Sequence, residues 1–139
     1  MSRRFRTSRT HRRRGIESIE LLLGLPLLLL AVAAGIEYGW MILRSTQLDH
    51  AARVGARAAS LADADGISVV NRVNDTLHAS GIDAASVEIL PGEPSSIPPG
   101  EVITVLVTLD YSDAGLLGLG SIMPLPDLLK GRAAMIREP

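Results

Sequence analysis

Leu21-Leu22-Leu23-Gly24-Leu25-Pro26-Leu27-Leu28-Leu29-Leu30-Ala31-Val32-Ala33-Ala34-Gly35-Ile36 holds eight leucines and no charged side chain. Apolar character resumes after Glu37 as Tyr38, Trp40, Met41, Ile42 and Leu43, and stops at Arg44. The segment Ile19–Leu43 is long enough to cross a bilayer with some tilt. Leucines at about −0.5 kcal/mol each outweigh one off-centre carboxylate costing roughly 2–3 kcal/mol, so Glu37 does not prevent insertion. Flanking charge sets the orientation. Seven of the 14 basic residues (Arg3, Arg4, Arg6, Arg9, Arg12, Arg13 and Arg14) precede Gly15, and all 15 acidic residues follow it. From residue 16 onward the chain therefore carries a net charge of −8. This asymmetry predicts a cytoplasmic N-terminus and an exported acidic body. Tyr38 and Trp40 fall where an interfacial aromatic belt is expected, at the outer end of the span.

The rest of the composition removes whole classes of function. A chain of 139 residues holds one small domain. Its aromatic residues are Phe5, Tyr38, Trp40 and Tyr111, too few for a base-stacking platform. The arginine run reads as a disordered cytoplasmic leader over Met1–Arg14 that orients the span, and no nucleic-acid partner is expected. Without cysteine there is no disulfide framework or thiolate nucleophile. His11, His50 and His78 lie apart and do not suggest a metal site. Asp63-Ala64-Asp65-Gly66 lacks the later ligands of a calcium loop and reads as a helix cap. Gly115-Leu116-Leu117-Gly118-Leu119-Gly120 has the wrong spacing for a phosphate loop. No catalytic, cofactor-binding or metal-binding constellation emerges, so the expectation is a protein without enzymatic activity.

Beyond Arg44 nothing breaks the helix before Asp63. A stem from Ile16 to Leu61 would be about 70 Å long at 1.5 Å per residue. Pro26 is tolerable in a membrane helix, as a softening point for packing or an ordinary kink. Small and apolar residues recur at Leu48, Ala51, Gly55, Ala58 and Ala62, a stripe that lets the C-terminal sheet or a neighbouring subunit approach closely. Asp49 stands correctly for an i,i+4 pair with Arg53. Asp65 caps a second helix, Ile67–Ser80, with Ile67, Val70, Val73 and Leu77 on one face and Gly81 as its stop. Three strands follow, at Ser86–Leu90, Glu101–Asp110 and Arg132–Arg137, the second central and well covered. Leu116–Leu129 has no clear period and is a covering loop or a partner surface. The fold expected is α+β: a long N-terminal helix, comprising membrane span and exported stem, a short second helix and a small three-stranded antiparallel sheet. Its parts are a leader (1–15), the membrane part of the stem helix (16–44), the exported part (45–62) and the body (63–139). A fragment starting near Asp49 would carry a self-sufficient core.

Ahead of the span stands Arg14-Gly15-Ile16-Glu17-Ser18-Ile19-Glu20-Leu21. Glycine offers a protease unhindered access, and Glu20 at the head of an apolar helix is costly unless its carboxylate finds a partner. Gly15 followed by Glu20 resembles the prepilin-peptidase site of type IV pilins, where cleavage follows the glycine and the glutamate is the fifth mature residue. The wider pattern resembles the TadE-like pseudopilins of tight-adherence (Flp) pilus systems. Leu25-Pro26 and the leucines after it, continuing to Gly35-Ile36-Glu37-Tyr38-Gly39, are similar to that family's proline, leucine run and glutamate-aromatic-glycine sequence. Ala51-Ala52-Arg53-Val54-Gly55-Ala56-Arg57-Ala58-Ala59 and the closing Ala133-Ala134-Met135-Ile136-Arg137-Glu138 resemble two further blocks.

The resemblance implies a minor pseudopilin processed between Gly15 and Ile16 and held in the bacterial inner membrane by a single pass. Glu20, Pro26, Gly35, Glu37 and Gly39 would serve assembly, and Ala51, Gly55 and Ala58 the packing of the stem. Implied partners are a prepilin peptidase, other pilins or pseudopilins, the pilus assembly platform and the membrane itself, with the pilus as a further location. The alternative is a secreted or membrane-anchored binding domain with an ordinary signal sequence cut after Ala31-Val32-Ala33.

Overall fold

From His11 to Ala59 the sequence is rich in arginine, leucine and alanine, all good helix formers, and one helix, α1 (His11–Ala59), takes up the whole stretch. The structure, a computed structural model, describes residues 11–139, with side chains from Ile19 onward except that of residue 121. The N-terminal part of the expected leader, residues 1–10, lies outside the described residues. Because α1 starts at His11, Arg12–Arg14, Gly15 and Ile16 have helical rather than extended or disordered backbone. The strong helix propensity of the three arginines outweighs the one unfavourable glycine. Pro26 is accommodated inside α1, where its missing N–H leaves the Leu22 carbonyl without its helical donor.

The chain divides into two compact units, one ending at Ile36 and one comprising Glu37–Pro139. In the first, every large apolar side chain from Ile19 to Ile36 is exposed. A helix that is apolar all round and covered by nothing is stable in lipid rather than water, and α1 is long and apolar enough to cross a membrane.

The second unit is built on the remainder of α1. After a turn capped by Asp65, whose carboxylate accepts the Ser68 N–H at 3.1 Å, helix α2 spans Gly66–Ala79. Its end is a Schellman motif: the Gly81 N–H bonds His78 O and the Ile82 N–H bonds Leu77 O. Gly81 takes the left-handed φ of +69° that this motif demands. Strands β1 (Ser86–Leu90), β2 (Val102–Asp110) and β3 (Leu128–Ile136) form an antiparallel sheet in the order β1-β2-β3, with a one-turn helix, α3 (Tyr111–Ala114), following β2. This is the expected α+β architecture. The last strand starts four residues before its expected beginning, because Leu128–Gly131 continue the β2 ladder up to Asp110.

The core lies between the helices and the inward row of β2, Ile103, Val105, Val107 and Leu109, all fully or almost fully buried. From α1 it receives Leu48, Ala51, Ala52, Gly55, Ala56 and Ala59. The expected stripe drifts at its end: Ala58 is only half-buried, and Ala62 lies exposed beyond the helix. α2 is likewise rotated from its expected face. Val69, Val73 and Leu77 are buried while Ile67 is exposed, because the four-residue steps 69, 73 and 77 follow the side facing the sheet. Asp49 does not pair with Arg53 but accepts the Arg132 N–H at 3.3 Å, tying α1 to β3.

Close approach explains the glycines at the crossings. A Cβ on Gly131 would overlap the backbone of Leu48 and Asp49, so β3 crosses α1 where only glycine fits. A Cβ on Gly55 would come within 2.5 Å of Val73 Cγ2 and 3.1 Å of Val105 Cγ1. At the far end Arg137 is buried and clamps two segments to β3, donating to the carbonyls of Pro94 and Ile97 in the β1–β2 connection and of Ala62 after α1.

Because packing in this unit begins at Glu37 and not near Asp49, a Glu37–Pro139 fragment is expected to unfold cooperatively in urea. A fragment starting at Asp49 loses the buried Leu48 and should show no such transition. Gly131→Ala in the longer fragment should cost about 3 kcal/mol through overpacking against backbone that cannot yield, measured as a fall in the urea midpoint at constant slope.

Candidate functional site

Glu37, Trp40 and Arg44 follow one another at three- and four-residue steps on α1, and the same face continues into Leu48, Ala51 and Gly55. The face thus carries polar groups at its beginning and small apolar ones above. Glu37 is 0% exposed. Its Oε1 accepts the Tyr111 hydroxyl at 2.8 Å and its Oε2 accepts the Leu117 N–H at 2.8 Å. Three residues on, the Trp40 indole N–H donates to Ala114 O at 2.7 Å. Arg44 lies 4.6 Å from the Trp40 ring centroid and donates to Ser80 O at 2.8 Å, capping the C-terminal end of α2. Three consecutive polar groups of α1 therefore hold α3, the loop after it and the end of α2.

The local sequence makes this arrangement possible. β2 ends at Asp110, and the Tyr111 N–H donates to Asp127 O at 2.9 Å, drawing the two ends of the connection to β3 together. The single turn of α3 then directs Tyr111 and the Leu117 amide at one carboxylate. A buried carboxylate costs several kcal/mol unless charge-assisted bonds offset it, and here both oxygens have donors. Burial first, and the neighbouring Glu37 second, push the Tyr111 hydroxyl up to about 12.

The other sequence-predicted residues are distributed differently. Gly15 and Ile16 lie in the helical backbone of α1. Glu20 is exposed among Ile19, Leu21, Leu22 and Leu23, and no side chain among the described residues bonds it. Pro26 and Gly35 are exposed in the first unit and Gly39 in the second, and a Cβ on either glycine would meet nothing within 4 Å. Glu37 alone of the expected assembly residues is enclosed by the body. Ala51 and Gly55 are buried against α2 and the sheet.

Of the two aromatics expected at the outer end of the span, Trp40 is half-buried and bonded to α3, whereas Tyr38 is exposed, with its hydroxyl 3.5 Å from Pro124 O. Residues missed in the sequence are Tyr111, Leu117, Arg44 and Glu93, the last accepting the Gly66 N–H at 2.7 Å at the start of α2. Tyr111 carried a usable signal as the body's one aromatic residue beyond the stem. The backbone N–H of Leu117 carried none. Among the described residues no three metal-ligating side chains cluster.

Fold and site together define a small α+β body whose base is fastened to a helix capable of membrane anchoring. The family model of the TadE-like proteins matches residues 15–57, consistent with a TadE-like protein of the tight-adherence system. The match covers Gly15, Glu20, Pro26, Glu37 and Gly55 and stops before the sheet. No curated protein and no solved structure matches the chain.

Stability should report the Glu37–Tyr111 bond through pH. The folded protein holds the Tyr111 proton above the ordinary value of 10.0, so this contribution is complete below pH 10 and is lost as pH rises through about 12. Tyr111→Phe should lower stability at pH 7 by about 1.5–3 kcal/mol and flatten this alkaline limb, measured by urea unfolding of the Glu37–Pro139 fragment at a series of pH values.

Proposed function

We propose that the chain is a minor, non-enzymatic pseudopilin of a tight-adherence pilus, anchored by one pass through the inner membrane with its N-terminus cytoplasmic. The observation that carries this reading is the succession along α1 of Glu20, an apolar run to Ile36 whose large side chains are all exposed, and a folded body starting at Glu37. The family match over residues 15–57 supports a pilus-associated role.

In this reading a prepilin peptidase removes the basic leader after Gly15 and frees an amine on Ile16. Inside an assembling bundle of apolar helices, the Glu20 carboxylate of one subunit pairs with that amine on the next. The pair is strong because the surroundings are poor in water. Gly35 and Gly39, four residues apart with open space above them, offer neighbouring pilin helices a close approach. Pro26 and the Leu22 carbonyl it frees lie on the same exposed helix, where the assembly platform or another pilin can satisfy that carbonyl.

A second reading has one observation in its favour. Since body packing starts at Glu37, signal-peptidase cleavage after Ala33 would release the whole second unit intact.

The intact mass of the exported protein separates the two: loss of residues 1–15 fits a processed pseudopilin and loss of 1–33 an ordinary signal sequence. Glu20→Gln is expected to leave membrane insertion and leader removal in place while abolishing piliation in a host lacking the wild-type copy. Glu17→Gln, closer to the hydrated interface, should matter far less. Normal pili with Glu20→Gln, or equal failure of both variants, would defeat the pairing mechanism.

A further inference from the structure

From Ala114 to Pro126 the connection between α3 and β3 carries no charged residue, and it leaves large apolar side chains in the open. Leu116 and Leu117 are each 48% exposed and Ile122 is 70% exposed. An apolar concentration of this kind on a body that is otherwise strongly acidic marks an interaction surface. Its place in the fold says with what. The connection is fastened to the first turn of α1 in this unit: the Leu117 N–H bonds Glu37, and Ala114 O accepts from Trp40. Glu37 is covalently joined to Ile36, the last of the exposed apolar residues that begin at Ile19. The loop is therefore tied to the residue at which the lipid-facing run of α1 ends.

We propose that Leu116, Leu117 and Ile122 insert into the outer interfacial layer of the bilayer that α1 crosses, so that the body rests on the membrane through a second, apolar foot. The proposal rests on the membrane-anchored reading above. Three features fit a lipid surface. The Leu117 N–H is bonded to Glu37, so the loop is tethered at that point while the side chains of Leu116, Leu117 and Ile122 stay exposed. Tyr38, exposed beside it with its hydroxyl near Pro124, has the amphipathic ring that favours the headgroup level. Pro124 and Pro126 supply no N–H groups that would need water.

The charges define the chemistry further. Asp113 and Asp127, both exposed, bracket the loop, and the nearby Arg44 is engaged with Ser80 O. With acidic residues on both flanks, the contact does not depend on anionic headgroups. The contact should form equally on zwitterionic lipid and persist at high salt.

The test uses the full chain, which has no native cysteine, reconstituted in phosphatidylcholine vesicles. Single cysteines at Leu117, Ile122, Leu27 and Ile67 carry a fluorophore, and quenching by lipids brominated at shallow or deep chain positions is read. Leu117→Cys keeps the backbone N–H that bonds Glu37, and Ile122→Cys touches no hydrogen bond of the latch. Labels at both positions should be quenched several-fold more strongly than the label at Ile67, which follows the other end of α1, and more by shallow than by deep bromine. The label at Leu27 should be quenched by deep bromine. Quenching at Leu117 and Ile122 no stronger than at Ile67, with Leu27 still quenched, overturns the proposal and leaves the membrane anchor standing. Loss of quenching at Leu27 as well overturns both. Labels shielded from water yet untouched by brominated lipid would assign the patch to a neighbouring protein and also overturn the proposal.

Discussion

A carboxylate removed from water must be answered by donors, and in this chain that requirement falls on Glu37. Its two oxygens take the Tyr111 hydroxyl and the Leu117 amide. The consequences run in both directions along α1. Before Glu37 the helix has nothing to bury its leucines against except lipid or another helix. From Glu37 onward the same helix becomes one wall of the folded body. A single residue, placed one helical turn before Trp40, marks the change from exposed apolar helix to packed body.

The body above that point works by economy of side-chain volume. With few aromatics, it packs closely instead: valine side chains press against the bare Cα of Gly55, and β3 meets the backbone of α1 at Gly131. Alanines at 51, 52, 56 and 59 let the sheet lie close on α1. The closing sequence serves the same end. Arg137 donates to carbonyls from the turn after α1 and from the β1–β2 connection, and the Glu138 N–H bonds Ser60 O at 2.7 Å. The C-terminal strand thus fixes the top of the stem while Glu37 fixes its base.

Much of this was legible in the sequence. The leucine density of residues 21–36 pointed to the long apolar helix. Asp65, Gly81 and the three β-branched runs gave α2 and the sheet, because caps and alternation are local signals. What failed was long-range. Ile67 looked like a core residue by periodicity, yet the sheet lies on the side of Val69. Glu37 and Trp40 read as membrane residues because their partners, Tyr111, Ala114 and Leu117, stand more than seventy positions away. A backbone amide leaves no trace in composition, and Leu117 as a leucine suggested only apolar surface. The proline- and glycine-broken stretch around it read as a loop, which it is; that one end of it answers a buried charge could be learned only from the fold.

On this structure Glu37 holds the loop as firmly as the core is held. Native-state hydrogen exchange of the Leu117 amide tests it most directly, since exposed loop amides ordinarily exchange without unfolding. Leu117 is expected to exchange only with global unfolding, alongside the amides of β2, and to become fast in Glu37→Leu. Exchange of Leu117 in the wild-type chain as rapid as that of exposed Gly118 next to it would contradict the account.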